Sequence, residues 1–203
     1  MTREDLKDSV LFAKGNVFGK PDLKLIKAGD RTLMVKDVKE KPFFFRWTLG
    51  LWLIRKERNI YLRLRGITGI PNGGEQIDRF AFIMDFVEGK AIERNDALSA
   101  SFFSRLEEIL KEIHSRGIVH LDLRHKGNIL VSHRGEPYLI DFNSSLSLGR
   151  KGILKTLLLP LLMQVDRAGF LKLKERVAPS LLTSEELSSL QKLNRFRKLW
   201  IFN

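Results

Sequence analysis

The chain has 203 residues, with 36 Lys or Arg against 24 Asp or Glu, a formal net charge of +12 and no cysteine. That length can bury a sizeable core, as one domain or as two small lobes. The lack of cysteine excludes a disulfide scaffold and thiol chemistry and is consistent with a cytoplasmic setting.

In chain order, Met1 to Asp8 is charged throughout and lacks an apolar signal-peptide core, so secretion is not expected. Ala13 to Lys20 places Gly15 and Gly19 in a polar stretch between apolar runs, the composition of a tight loop. Arg31 to Val38 alternates apolar residues and reads as a strand carrying Lys36. Leu49 to Leu64 reads as an amphipathic helix ending near Gly66, and Glu57 is its only acid. A Lys36–Glu57 ion pair is the natural reading, although Glu57 could equally pair with Arg55 or Arg58 on the surface. Arg79 to Lys90 reads as a buried strand running into a short connector.

Phe102, Leu106, Ile109 and Ile113 recur at helical spacing, predicting a helix from about Ser99 to Arg116 with Gly117 as its stop. Ile129-Leu130-Val131 and Tyr138-Leu139-Ile140 read as two short strands joined by the polar turn Ser132 to Pro137. Such a hairpin brings Asn128 and Asp141 to the same end of the ladder, where two oxygen ligands can share a metal ion. Thr183-Ser184-Glu185-Glu186 is a capping box opening the last helix. His114, His125 and His133 have no ligand-like spacing, so no transition-metal site is expected. No internal repeat or low-complexity linker interrupts the chain.

The stretch His120-Leu121-Asp122-Leu123-Arg124-His125-Lys126-Gly127-Asn128, followed by Asp141-Phe142-Asn143, resembles H-x-D-L-x-x-x-x-N and D-F-G. These are the catalytic motifs of protein-kinase-like phosphotransferases. Two departures stand out. Asp122 to Asn128 is one residue longer than the commonest protein-kinase spacing, and Asn143 stands where Gly usually follows Asp-Phe. A bacterial branch of kinase-like proteins, related to the RIO kinases and the lipopolysaccharide-core sugar (Kdo/heptose) kinases, is similar in carrying the extra residue.

The resemblance covers roughly Leu11 to Phe170. It implies an α+β, two-lobed protein-kinase-like fold, with a small β-rich N-lobe over 1–84 and a hinge plus reduced helical C-lobe over 85–203. The implied cofactors are ATP and Mg2+. Gly15 and Gly19 would cover the phosphates, Lys36 would hold the α and β phosphates, and Glu57 would hold Lys36. The backbone of Asp85, Phe86 and Val87 would meet the adenine edge, with Met84 behind the ring and Leu130 under it. Asp122 would orient or deprotonate the acceptor hydroxyl, Arg124 would neutralise the moving phosphoryl group, and Asn128 with Asp141 would hold magnesium. His120 is expected to brace the loop. Asp166 is a candidate for the buried acid that holds the catalytic loop from below in such folds.

Only 62 residues follow Asp141, and A-P-E does not occur among them. A peptide-docking half is therefore not expected. The expected reaction is transfer of the γ-phosphoryl of ATP to a hydroxyl on a glycolipid sugar or another non-peptide acceptor. A RIO-like serine/threonine protein kinase and a nucleotide-binding pseudokinase acting as a docking module are the alternatives. From Arg150 to Asn203 there are 11 Lys or Arg against four acids, interleaved with apolar residues and ending in Leu199-Trp200-Ile201-Phe202. The apolar run around Pro160 is too short to span a bilayer. The segment instead suits either buried helices with solvated basic faces or an anionic membrane surface, and Phe43 to Trp47 with Trp52 has the same composition. Nucleic acid or a ribosome is a less favoured partner, since nothing reads like a base-reading motif.

Overall fold

Period-two alternation builds the first part of the chain. In the computed structural model, which describes residues 1–17, 19–94, 96, 98–149 and 152–199 (side chains of 153–155 and 193–199 excepted), two compact units divide between Glu88 and Gly89. The first unit contains β1 (Val10–Ala13), β2 (Asp22–Ala28), β3 (Arg31–Asp37), α1 (Phe43–Trp47), α2 (Leu49–Leu64), β4 (Gly73–Asp78) and β5 (Ala81–Asp85). Its strands form one antiparallel sheet in the order β1-β2-β3-β5-β4. Val35 lies in a cluster with Leu6, Ile26, Ala81 and Ile83, against which Leu33 packs. Because successive side chains of a strand face opposite ways, Met34 and Lys36 project from the other face of β3.

Helix α2 covers that other face. Its buried residues Gly50, Ile54, Glu57, Ile60, Tyr61 and Leu64 recur every three or four positions and form one stripe. The Tyr61 ring lies 5.9 Å from that of Phe82, the β5 residue paired with Lys36. The helix stops where Arg65 turns extended and Gly66 takes φ +81°. Gly74, at φ +90°, lets β4 come close to α2: a Cβ there would meet the Leu62 side chain at 2.7 Å and the Arg58 carbonyl at 2.9 Å.

The second unit holds β6 (Gly89–Ala91), α3 (Ala100–Ser115), β7 (Ile118–Val119), β8 (Ile129–Ser132), β9 (Pro137–Leu139), β10 (Leu146–Ser147), α4 (Ile153–Val177) and α5 (Ser184–Leu199). Strands β6-β8-β9 form one small sheet and β10-β7 another. Helix α3 is the one expected from sequence. Ser99 Oγ accepts from Phe102 N at 3.2 Å as its N-cap, and Gly117 follows its end at φ +71°. The capping box of α5 is likewise formed, with Glu186 N donating to Thr183 Oγ1 and Thr183 N to Glu186 Oε2.

Helix α4 runs unbroken through Pro160 for 25 residues. Proline has no N–H for the carbonyl four residues back and its ring crowds that carbonyl, which costs about 3 kcal/mol in a helix interior. Burial of Leu159, Phe170, Leu171, Leu173 and Val177 offsets that cost. Among the described residues no helix is long and apolar enough to cross a membrane. Trp200, Ile201 and Phe202, and the side chains of Arg195, Arg197 and Lys198, lie outside the described residues.

The seat of α2 on β4 can be tested at Gly74. Substitution by Ala adds a methyl group where φ is positive and the backbone of α2 is in the way, so Gly74→Ala should lower unfolding free energy by roughly 2 kcal/mol or more. Urea unfolding followed by far-UV circular dichroism should show a lower midpoint with an unchanged slope.

Candidate functional site

Lys36 sits where alternation turns β3 inward, and its Nζ donates to Glu57 Oε1 at 2.5 Å. Both side chains are buried. Of the partners open to Glu57, the structure thus supplies Lys36. A second buried pair lies beneath the glycine loop: Lys41 Nζ donates to Asp22 Oδ1 at 2.7 Å and to the Gly15 carbonyl at 3.0 Å. Gly15 N also donates to Asp22 Oδ1, at 2.8 Å. A Cβ on Gly15 would stand 2.1 Å from the Lys20 carbonyl oxygen, so this glycine is required by closure of the loop on itself. At Gly19 a Cβ would meet the Asn16 side chain at 2.9 Å, and Asn16 Oδ1 accepts from Lys20 N. Neither Lys41 nor Asp22 belongs to a motif, so sequence reasoning missed the pair.

Met84 is buried in β5 against Gly73, where any side chain would clash with it. Two of the three amides expected at the connector are engaged within the unit. Asp85 N donates to the Asn72 carbonyl at 2.8 Å and Phe86 N to the Thr32 carbonyl at 3.2 Å. Among the described residues, no hydrogen bond uses the Val87 amide. The Phe86 ring packs edge-on to Phe12 at 5.7 Å.

In the second unit the predicted residues are brought together by the hairpin. Ile129 pairs with Leu139 and Leu130 with Tyr138, and Ile140 N donates to the Asn128 carbonyl at 2.9 Å. Asn128 and Asp141 therefore stand at the same end of the ladder. Leu130, half-buried, also pairs with Ala91 on β6. Asn128 Nδ2 donates to the Asp122 carbonyl and to Asp122 Oδ2, both at 2.9 Å. Because both partners only accept, the amide orientation is fixed, and Asn128 Oδ1 faces the other way as an acceptor. Asp141 adopts φ +63° and accepts from Asn143 N at 3.4 Å. Arg124 is exposed, and its carbonyl accepts from Arg176 Nη2.

A carboxylate the sequence left undecided holds this loop. Asp166, 1% exposed on α4, accepts from His120 N at 2.8 Å, Leu121 N at 2.6 Å and His114 Nε2 at 2.8 Å. Leu121 has φ +66°, a conformation that costs a non-glycine residue about 1–3 kcal/mol and persists only where its surroundings impose it. The bond to Asp166 fixes the amide that leads into it. Gly169, one turn further along α4, admits Leu123, since a Cβ there would lie 3.1 Å from Leu123 Cβ.

His120 is fully buried and bridges two functional segments. Its Nε2 faces the Ile140 carbonyl at 3.1 Å and its Nδ1 faces Asp122 N at 3.3 Å. A carbonyl only accepts and an amide only donates, so the ring is neutral at Nδ1 and protonated at Nε2. Desolvation pushes its pKa below the ordinary 6.5, against the opposing pull of the Ile140 carbonyl and Asp166, Asp141 and Asp122. Among the described residues no group of three or more His, Cys, Asp or Glu could hold a metal ion, so a cation here would rest on Asn128 and Asp141.

Two outcomes follow from these contacts. Asp166→Ala strands two buried backbone N–H groups and the His114 ring, and should cost roughly 3 kcal/mol or more in urea unfolding. Below about pH 6.5 the unfolded chain binds a proton that folded His120 resists, so this contribution to stability is complete above 6.5 and is lost as pH falls toward the lowered folded value. The urea midpoint of the native chain should thus drop between pH 7.5 and 5.5, and that drop should shrink in His120→Gln.

No protein-family model and no curated protein sequence matches the chain. Among solved structures it is similar to the Rio2 kinase–ADP/Mg2+–phosphoaspartate complex of Chaetomium thermophilum, over 95% of this chain and 72% of that one, with a TM-score of 0.53 and 14% identity. At that identity the likeness is one of fold, and the fold is protein-kinase-like.

Proposed function

We propose that the chain is an ATP-dependent phosphotransferase acting on a hydroxyl. The observation that carries this reading is the Asp122–Asn128–Asp141 grouping. Asn128 Nδ2 is committed to Asp122, leaving an amide oxygen on Asn128 and the carboxylate of Asp141 at one ladder end. Hard oxygens suit magnesium, which commonly takes one or two protein oxygens and completes its shell with phosphate oxygens and water. When bound, the ion neutralises charge on the nucleotide phosphates.

The chain's own residues supply the rest. Lys36, held by Glu57, binds the α and β phosphates. Asn128 fixes one oxygen of Asp122, and the other takes the proton of the acceptor hydroxyl. The hydroxyl oxygen bonds to the γ phosphorus as the bond to the bridging oxygen breaks, leaving ADP. Exposed Arg124 offsets charge on the transferring group. Of the connector amides, that of Val87 is the one available for the adenine edge.

The acceptor we favour is a non-peptide hydroxyl, such as a glycolipid sugar. Only residues 142–152 separate Asp141 from α4, too few for a peptide-docking segment, and the basic balance of the C-terminal third suits an anionic surface. The Rio2 fold likeness favours a second reading, a RIO-like kinase with phosphoryl transiently on an aspartate. A transfer assay with radiolabelled ATP against glycolipid and protein extracts separates them, since an acyl phosphate on the chain is released by hydroxylamine. ATP binding without any transfer would leave a docking module.

Asp141→Asn should lower turnover about a hundredfold or more while keeping the fold, because Asn tolerates the left-handed backbone at this position. Undiminished turnover would remove Asp141 from the reaction. Lys36→Met takes a buried cation from Glu57 and should cost about 3–5 kcal/mol. The double variant Lys36→Met/Glu57→Gln should recover stability but not ATP use, which thermal unfolding and ATP KM read separately.

A further inference from the structure

The first unit carries an aromatic and basic face that the phosphotransfer reading does not use. Helix α1 is five residues long and buries only Phe45. Gly50 makes that possible: a Cβ there would lie 3.0 Å from both the Phe45 ring and its carbonyl, so α2 starts directly against α1. With Phe45 turned in, its neighbours turn out. Phe43 is 60% exposed, Phe44 82%, Trp47 40% and, on the first turn of α2, Trp52 55%.

Cations accompany these rings. The Lys56 ammonium lies 4.9 Å from the Trp52 ring, the Arg79 guanidinium 5.1 Å from Trp47, and that of Arg46 5.7 Å from Phe43. Between Lys41 and Asn59 the sole acid is Glu57, buried against Lys36, so the charge this face shows to solvent is positive. Glu40 is the exposed acid at its edge.

We infer that this face of α1 and the start of α2 docks on an anionic lipid surface. The inference goes beyond the proposed reaction and stands whether or not the chain turns over ATP. The charge is complementary to lipid phosphates, and the rings of Phe43, Trp47 and Trp52, each with a cation beside it, fit the headgroup boundary, where the ring enters the acyl edge and the cation stays at the phosphate level. Phe44, almost wholly exposed at the tip, is the residue that inserts.

The test is sedimentation of the purified full chain with phosphatidylcholine vesicles, with and without about 30% phosphatidylglycerol. Partitioning should be about tenfold or more stronger on the anionic vesicles and should weaken as salt rises. Phe44→Ser/Trp52→Ser should lower it about tenfold, with the urea midpoint unchanged. Trp52→Phe should retain binding. Equal partitioning on both vesicles, no binding to either, or full binding by the double variant would overturn the inference. So would self-association of the native chain that the same double variant abolishes, which would assign the face to a second copy. ATP turnover on a soluble acceptor is measured in parallel, so loss of the kinase reading and loss of the lipid reading are read separately.

Discussion

The carboxylate of Asp166 is the point from which the loop after β7, with Asp122 on it, hangs. One buried acid on α4 receives the amides of His120 and Leu121 and the ring of His114 on α3. A backbone carboxylate bond at this depth is much more specific than packing, because two adjacent amides can share one carboxylate only if the peptide between them turns. His120 makes that turn between the two amides, and the left-handed Leu121 follows it. It sets the direction in which Asp122 leaves the loop, and Gly169 keeps α4 near enough for the bond to exist. His120 then carries the constraint onward to Ile140, next to Asp141.

Lys36 and Glu57 impose a comparable constraint on the first unit, of a different energetic kind. Replacing a buried ion pair by apolar residues of similar size is often neutral or stabilising, so stability alone gives no reason for two charges between β3 and α2. A cation held at a defined place is useful to an anionic ligand. The pair also ties strand period to helix period. Lys36 must lie on the face opposite Val35, and Glu57 must fall in the stripe with Ile54, Tyr61 and Leu64; a shift of one residue in either element separates them.

Much of this was legible because the relevant signals are local. The stripes of α2 and α3, the stop at Gly117, the capping box at Thr183 and the β8–β9 turn each follow from residues within one or two turns of each other. Lys36 against Glu57 was legible only as one of several pairings, since spacing along the chain does not choose among nearby cations. What the sequence did not disclose depends on distant backbone. Gly15 resembles a phosphate-loop glycine, yet the atoms a side chain would strike are the carbonyls of Lys20 and Pro21. The connector amides of Asp85 and Phe86 are taken by Asn72 and Thr32, residues with no motif. The continuation of α4 through Pro160 is another such feature, supported by Leu159 and by the buried residues from Phe170 onward.

The segment after Asp141 is tied to the same loop. In many kinases that segment switches between ordered and disordered states, and its ordering sets activity. Here residues 145–148 are fastened to β7, the strand that enters the loop carrying Asp122. Ser145 Oγ donates to the His120 carbonyl at 3.1 Å, Leu146 and Ser147 pair with Val119 and Ile118, and Leu148 N donates to the Gly117 carbonyl at 2.9 Å. Ser145 is fully buried. Releasing these residues would unpair β7, expose the His120 carbonyl and free the loop that Asp166 holds, so the cost of a disordered state here is that of dismantling the loop that carries Asp122. Residues 145–148 are thus part of the packing that holds the loop, and order in the one goes with order in the other.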